Sequence, residues 1–312
     1  MIEYLDFTFL LKTFNMLSVI KPYLRSESNI NEKDGYFETP IEKLSDSLCA
    51  NAYFFCQYEW AEEYLMNRHR DKAFVERWMA VIGDWTGKIV IDIGCGPGNI
   101  FASLKGNPKL IIGVDVASTA LKMAGKLGYV PVFADASNLP FKSCIADIVM
   151  LNATLHHCDD MERVLKEAAR LVKPGGMLIT DHDPQLSAFD FKGLTKFLWN
   201  SRSTLYKITG YGFHRANDRK YWHLACEAHR KPGHGVTQKM FKRILEPLGF
   251  KVNVFPHNHH IGAEVLLGQQ GKAEFKYYLG NILSGRKPNT RESALLLMCI
   301  ARRINNFNYS KI

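Results

Sequence analysis

The middle of the chain alternates short apolar runs with amphipathic stretches. The apolar runs have the length and continuous hydrophobicity of strands buried on both faces, and they lie at residues 88–93, 110–115, 130–134, 145–151 and 175–181. The stretches between them have helical periodicity near residues 98–105, 117–127 and 160–172. This alternation of strand and helix predicts right-handed βαβ units and a parallel sheet, and therefore an α/β fold.

Two further strands are predicted near the end of the chain. Residues 237–247 are typical of a helix capped by Thr237, and residues 249–255 follow as a sixth strand. Residues 293–300 are predicted as a seventh strand, and a helix is expected at 272–283 between the two.

The N-terminal 86 residues have helical rather than strand patterns. Phe7, Leu10, Leu11, Phe14 and Leu17 share one face of an amphipathic helix. That face is suited to packing on its own domain, to dimerisation or to peripheral membrane contact, and docking within the chain is the commonest of these. Residues 28–39 are polar with a turn at Asp34-Gly35, and residues 41–82 predict two or three helices, one of them over 59–82.

Composition places the chain among globular proteins of the cytoplasm. It has 312 residues, of which 46% are hydrophobic and 23% charged, so it can bury a large core. Seven scattered cysteines form no disulfide framework, which favours a reducing compartment. The formal net charge of +9 favours an anionic partner, but the basic residues are dispersed rather than gathered in a tract. Oligomeric state stays open.

The sequence VIDIGCGPGN, residues 90–99, gives the strongest functional signal. A predicted strand ends at Asp92 and runs into glycines at 94, 96 and 98. Glycines at a strand-to-helix turn let a ligand approach the main chain closely. The spacing is not that of the dinucleotide fingerprint, and a carboxylate at Asp92 suits an ammonium group better than a pyrophosphate.

This stretch resembles motif I of the class I S-adenosylmethionine-dependent methyltransferases. The order of later motifs is similar to the subgroup containing the ubiquinone- and menaquinone-biosynthesis enzymes (methyltransferase type 11). The resemblance is close over residues 87–181 and loose over 237–303. It implies S-adenosylmethionine as cofactor and a Rossmann-like seven-stranded sheet, with the seventh strand antiparallel between the fifth and sixth.

The resemblance also implies a division of the chain. A helical N-terminal extension, residues 1–86, would cover the site, and residues 87–184 would form the cofactor-binding core. Residues 185–235, rich in aromatic and basic side chains, would form an inserted substrate lid. Residues 236–312 would complete the core, with a further insertion at 257–292.

Four motifs carry the expected cofactor contacts. An acid at the end of the second strand is placed to accept hydrogen bonds from a ribose diol. In the resembled subgroup the acid after the third strand contacts the adenine, and the end of the fourth strand faces the site. The residues at the matching positions are Asp92, Gly94, Cys95, Gly96, Asp115, Val116, Asp135, Ala136 and Asn152.

Histidines at the ligand edge of the sheet are the candidates for proton transfer. His156 and His157 follow the fourth strand, and His182 stands between two aspartates after the fifth. Ligands of open α/β sheets bind outside the carboxyl ends of the strands, which is where all three are expected. Packing alone for the histidine pair, and a simple Asp-Pro turn at 183–184, remain alternative interpretations.

No metal site is predicted. Cys226, His229 and His234, and the imidazoles of His257, His259 and His260, match no known zinc-ligand spacing.

The sequence therefore predicts a methyltransferase for a small organic acceptor that is aromatic, quinone-like or a lipid, modified at carbon or oxygen. The N/D-P-P-Y/F motif of many nucleic-acid amino-methylating enzymes is absent, since residues 152–155 are NATL. Two alternatives stay open: an enzyme that modifies protein or RNA, which the basic charge favours, and a non-catalytic subunit that binds S-adenosylmethionine.

Overall fold

A computed structural model describes residues 16–67, 71–193, 195–197, 201, 217–229 and 233–305. The strands are β1 Asn31–Lys33, β2 Tyr36–Glu38, β3 Ile89–Ile93, β4 Leu110–Asp115, β5 Val130–Phe133, β6 Ala146–Asn152, β7 Val172–Pro184, β8 Phe250–His257 and β9 Leu296–Arg303. The helices are α1 Met16–Ile20, α2 Asp46–Cys56, α3 Tyr58–Asn67, α4 Lys72–Ile82, α5 Asn99–Leu104, α6 Ser118–Lys126, α7 Met161–Leu171, α8 Asn217–Cys226, α9 Gln238–Leu245 and α10 Phe275–Leu283. Among these residues no helix combines the length and the apolar character needed to cross a membrane.

One mixed sheet carries the fold, with strand order β1-β2-β5-β4-β3-β6-β7-β9-β8. Strands β3 to β7 run parallel, and β9 is antiparallel to both β7 and β8, as predicted. The carboxyl ends of the parallel strands therefore meet at one edge, where a ligand site is expected.

Successive side chains along each strand pack alternately into two hydrophobic cores, one on each face of the sheet. In β3, Ile89 and Ile91 pack in the core that contains Leu165 of α7, whereas Val90 packs on the other face with Trp78 of α4. The period of two along a strand produces this division. Helices cover both faces, which explains why the strands are apolar throughout.

Among the described residues the sheet has nine strands rather than the predicted seven. The two additional strands, β1 and β2, form a hairpin that joins the edge of the sheet through pairing of β2 with β5. The turn residues Asp34 and Gly35 have φ angles of 37° and 88°, which suit a two-residue hairpin turn. The sequence pattern did not predict this hairpin, because all three residues of the edge strand β1 are exposed and leave no alternation of apolar and polar positions.

The predicted helix over 59–82 is two helices, α3 and α4. Asp71 begins the second by accepting a hydrogen bond from the Phe74 amide at 2.6 Å. Of the predicted amphipathic helix only Leu17 falls among the described residues. Many aromatic and basic residues of the predicted lid also lie outside them, namely Trp199, Tyr206, Tyr211, Phe213, His214 and Arg215.

Candidate functional site

A cavity of about 470 Å³ lies at the carboxyl ends of the parallel strands β3 to β6. Its size is that of a small-molecule site. All nine residues predicted to contact the cofactor line this single cavity: Asp92, Gly94, Cys95, Gly96, Asp115, Val116, Asp135, Ala136 and Asn152.

The glycine loop after β3 forms the floor of the cavity. Gly94 has φ +69°, and a Cβ at this position would lie 2.5 Å from Cγ2 of Thr154. The Thr154 hydroxyl donates to the Ile93 carbonyl at 3.1 Å, which fixes that side chain against the loop. Glycine is therefore required at position 94 by both backbone conformation and space.

Asp115 organises the loop from the end of β4. Its Oδ2 accepts from the Gly96 amide at 2.8 Å, and its Oδ1 accepts from the amides of Val116 and Ala117 at 2.8 and 2.9 Å. Burial raises the pKa of Asp115, and these amide hydrogen bonds oppose the rise. The carboxylate thus connects two neighbouring strand ends and still reaches the cavity wall.

Asp92 is a buried acid on the cavity wall. Its side chain is 1% exposed, and Oδ2 accepts a hydrogen bond from the Tyr129 hydroxyl at 2.8 Å. Burial raises the pKa of Asp92 to about 7, against the effect of the Tyr129 hydrogen bond. A buried carboxylate is costly without a cation, so this position favours a positively charged ligand group.

Asp135 and Asn152 complete the wall on either side of the loop. Asp135 accepts from the amide and the hydroxyl of Ser137 at 2.8 and 2.9 Å, which fixes its carboxylate. Asn152 is the last residue of β6 and is buried beside the cavity.

The first two candidate histidines lie on the short 3-10 helix Leu155–His157 that follows β6. His157 lines the cavity, and its Nδ1 lies 2.6 Å from the carbonyl oxygen of Cys226. Burial lowers the pKa of His157 to about 3, so the imidazole is neutral. His156 is buried behind it, with Nδ1 2.8 Å from Oδ1 of Asp183.

The third candidate, His182, is not among the residues that line the cavity. Its ring packs against Phe74 and His259, with centroid distances of 5.4 and 5.6 Å. The pairing of β7 with β9 shifts register at this residue, whose φ is +63°. A bulge of this kind re-aims a side chain, and here it separates His182 from the two histidines after β6.

Asp181 lies at the centre of a buried polar network on the same side as His182. It accepts from Arg77 Nε and Trp78 Nε1, both at 3.0 Å, and its Oδ1 lies 2.8 Å from His257 Nε2. Burial would raise the pKa of Asp181, but the positive charge of Arg77 and the neighbouring histidines hold it well below the usual range. The network joins α4 to the strands β7 and β8 of the sheet.

The N-terminal extension was expected to cover the site, but no individual residue of α2, α3 or α5 was predicted to line the cavity. Phe55 and Tyr64 line the cavity with their rings 5.5 Å apart, and Asn51 lies beside them. Asn99 donates to the Tyr64 carbonyl at 3.1 Å, while its buried Oδ1 has no partner among the described residues. The one sequence signal for Asn99 was its position directly after the glycine loop.

Comparison with known proteins identifies the family. The sequence profile described as "Methyltransferase domain" matches residues 91–180. A demethylmenaquinone methyltransferase of Corynebacterium kroppenstedtii is 30% identical over 168 residues, which are 53% of this chain and 69% of that protein. A tRNA (carboxymethyluridine(34)-5-O)-methyltransferase of Arabidopsis thaliana is 33% identical over 98 residues. The aligned region is 30% of this chain and only 24% of that protein.

A solved structure supports the same fold. Geranyl diphosphate C-methyltransferase from Streptomyces coelicolor, in complex with Mg²⁺, geranyl diphosphate and S-adenosyl-L-homocysteine, is 11% identical with a TM-score of 0.53. The alignment covers 85% of this chain and 100% of that one. Together with the glycine loop and its acids, these matches place the chain in the class I S-adenosylmethionine-dependent methyltransferases, and S-adenosylmethionine is its cofactor.

Proposed function

We propose that this protein transfers the methyl group of S-adenosylmethionine to a small organic acceptor that is aromatic, quinone-like or a lipid, at carbon or oxygen. The observation that carries the proposal is that all nine predicted cofactor residues line one cavity together with aromatic side chains from α2 and α3. The demethylmenaquinone methyltransferase relative supports a quinone-like acceptor.

The residues of the cavity fit the cofactor group by group. Asp92 is a buried acid that lacks a cation among its described partners, and Asn99, which lines the same cavity, has an unpartnered buried Oδ1. Both would accept hydrogen bonds from the cofactor's ammonium. Asp115 would hold the ribose diol, with Asp135 and Ala136 beside the adenine.

Catalysis then depends mainly on positioning. When bound, S-adenosylmethionine supplies an electrophilic methyl group on a sulfonium, which is a good leaving group. The chain must hold the acceptor atom in line with that bond and exclude water. Phe55 and Tyr64 offer apolar ring surface for an acceptor, and Asn152 offers a polar side chain at the strand end.

Of the three histidines, His157 is the one placed to contact an acceptor. Because the Cys226 carbonyl can only accept, Nδ1 of the neutral His157 ring carries the proton and Nε2 carries a lone pair. The low pKa of His157 makes it a weak base, so it would orient an acceptor hydroxyl rather than remove its proton.

Calorimetric titration with S-adenosylmethionine tests the cofactor site. Wild type and an Asp190→Asn control, altered at an exposed acid, should bind equally. Asp92→Ala and Asp115→Ala should each weaken binding at least tenfold. Equal binding by all four proteins would refute the assignment of these acids.

Radiolabelled methyl transfer onto cell extract tests the acceptor class. We expect label in the organic-solvent fraction. Label confined to RNA and lost at high salt would instead favour the RNA-modifying alternative, which the net charge of +9 and the tRNA-methylating relative support. Label in the protein fraction would favour the protein-modifying alternative, and label in no fraction, with cofactor bound, would favour a non-catalytic subunit.

A further inference from the structure

We propose that His156, His157 and Glu227 form a binding site for a divalent transition-metal ion, for which zinc is the best match. Each of these residues offers one ligand atom, and all three atoms lie within 4.8 Å of one another. Within the described part of the chain this is the one group of three histidine, cysteine or acidic residues with such spacing. These ligands differ from Cys226, His229 and His234, the nearby cysteine and histidines considered in the sequence analysis.

The two imidazoles are held in the tautomer that a metal requires. His156 Nδ1 lies 2.8 Å from the buried carboxylate of Asp183, and His157 Nδ1 lies 2.6 Å from the Cys226 carbonyl. Both partners are acceptors, so both Nδ1 atoms carry the protons and both Nε2 atoms carry lone pairs. A carboxylate or carbonyl on the far nitrogen is the usual arrangement around metal-ligating histidine.

The spacing to Glu227 fits a shared ion better than a direct hydrogen bond. His156 Nε2 and Glu227 Oε2 are 3.5 Å apart, which is beyond the usual N–H···O range of about 2.7–3.2 Å. Two ligands of a tetrahedral zinc ion, each about 2.0–2.1 Å from the metal, stand about 3.3 Å apart. The side chains of His156 and Glu227 are only 5% and 9% exposed, so an ion between them would be largely shielded from solvent.

The local backbone explains how adjacent histidines share one site. His156 and His157 stand at the end of a 3-10 helix, and their rings lie 4.1 Å apart with planes inclined by 38°. In a strand they would point to opposite faces. The third ligand, Glu227, follows α8, so the ion would connect the strand-end turn to the segment after that helix.

The nature of the ligands selects the metal. Two imidazole nitrogens and one carboxylate suit zinc, cobalt or nickel, whereas magnesium and calcium prefer oxygen ligands. Three protein ligands leave a fourth position open, as in catalytic zinc sites. His157 also lines the cavity, so, if the proposed function holds, an acceptor oxygen would occupy that position and His157 would act on the acceptor through the ion instead of contacting it directly.

Metal binding can be measured without a methyl acceptor, which keeps this test independent of the proposed function. Chelator-treated, dialysed protein is titrated with Zn²⁺ by calorimetry and with Co²⁺ by visible absorption. We expect one equivalent of each ion, with cobalt bands typical of tetrahedral coordination. If the protein binds neither Zn²⁺ nor Co²⁺, the proposal is overturned.

Variants assign the ligands. Glu227→Gln and His156→Gln should each weaken Zn²⁺ binding at least tenfold. His234→Gln, which removes an imidazole outside the three-residue group, should stay within twofold of wild type. If all three variants bind as wild type does, the ion is adventitious.

X-ray absorption of the zinc-loaded wild type keeps the proposal testable even if a buried variant fails to fold. The expected first shell contains nitrogen and oxygen at about 2.0–2.1 Å and no sulfur. Scattering from sulfur at about 2.3 Å would assign the ion to a cysteine such as Cys226 and refute the ligand set.

Discussion

Asp92 is expected to reduce the stability of the cofactor-free protein near neutral pH, because its carboxylate is buried without a positively charged partner among the described residues. Its pKa rises from 3.8 to about 7 on folding. An acid whose pKa is higher in the folded than in the unfolded protein stabilises the fold when the pH is below its unfolded-state pKa. This stabilisation is lost as the pH rises from about 4 to 7. Three pH units correspond to about 4 kcal/mol, since each unit is about 1.4 kcal/mol.

The perturbation is Asp92→Asn, which keeps the shape and a hydrogen bond to Tyr129 but removes the charge. Relative to wild type, the charge term stabilises the variant by about 4 kcal/mol at pH 8 and by about 1.5 kcal/mol at pH 5. Changes in packing do not depend on pH, so the difference of about 2.5 kcal/mol between the two pH values isolates the titration of Asp92.

Urea unfolding of both proteins at pH 5 and pH 8, without cofactor, measures these free energies. Asp190→Asn, at an exposed acid, is the control and should change the free energy of unfolding by less than about 0.5 kcal/mol at either pH. If the advantage of Asp92→Asn is the same at both pH values, Asp92 titrates normally and the reasoning from burial is wrong.

The same variant predicts the pH dependence of cofactor binding. Only the carboxylate attracts an ammonium, so the affinity of wild type for S-adenosylhomocysteine should fall as pH drops below about 7, by at most tenfold per unit. Asp92→Asn should lose this dependence. Calorimetry over pH 5.5–8.5 measures both curves, and the variant accounts for titration of the ligand's own amine. Parallel curves would contradict the proposed contact.

Two further substitutions test the fixed parts of the structure. Gly94→Ala should destabilise the protein by about 1–3 kcal/mol and weaken cofactor binding, because its Cβ would lie 2.5 Å from the Thr154 side chain. Gly83 has a similar φ and open space around it, so Gly83→Ala should show only the cost of the backbone conformation. Equal shifts of the melting temperature in the two variants would refute the steric explanation. Arg77→Met should cost about 3–5 kcal/mol in urea unfolding, because it leaves the buried Asp181 carboxylate without its guanidinium partner. A loss under about 1 kcal/mol, typical of a surface pair, would contradict that role.

Local pattern was sufficient for the central sheet and the cofactor loop. Each parallel strand is buried on both faces, so its residues form a continuous apolar run that is visible in the sequence. The glycines and Asp92 and Asp115 are adjacent to strand ends in the chain, and all parallel strands end at one edge. Sequence neighbours and sheet geometry together therefore brought the nine predicted residues to one cavity.

The hairpin and the histidines show where local pattern was insufficient. The edge strand β1 has no buried side chain, so no hydrophobic periodicity marked it. His156, His157 and His182 were equivalent by position, since all follow strand ends. The register shift in β7 separates His182 from the others, and such a shift depends on pairing with β9 rather than on nearby residues.

The sequence by itself determined the fold class, the sheet edge at which the cavity lies and the residues of the glycine loop, because these depend on residues close together in the chain. The tertiary structure alone decided the aromatic wall, the network around Asp181 and the approach of Glu227 to the histidine pair. His157 and Cys226 are 69 positions apart, and Arg77 and Asp181 are 104 apart. Contacts over such separations arise from the packing of whole helices and strands, which no local pattern of hydrophobic and polar residues encodes.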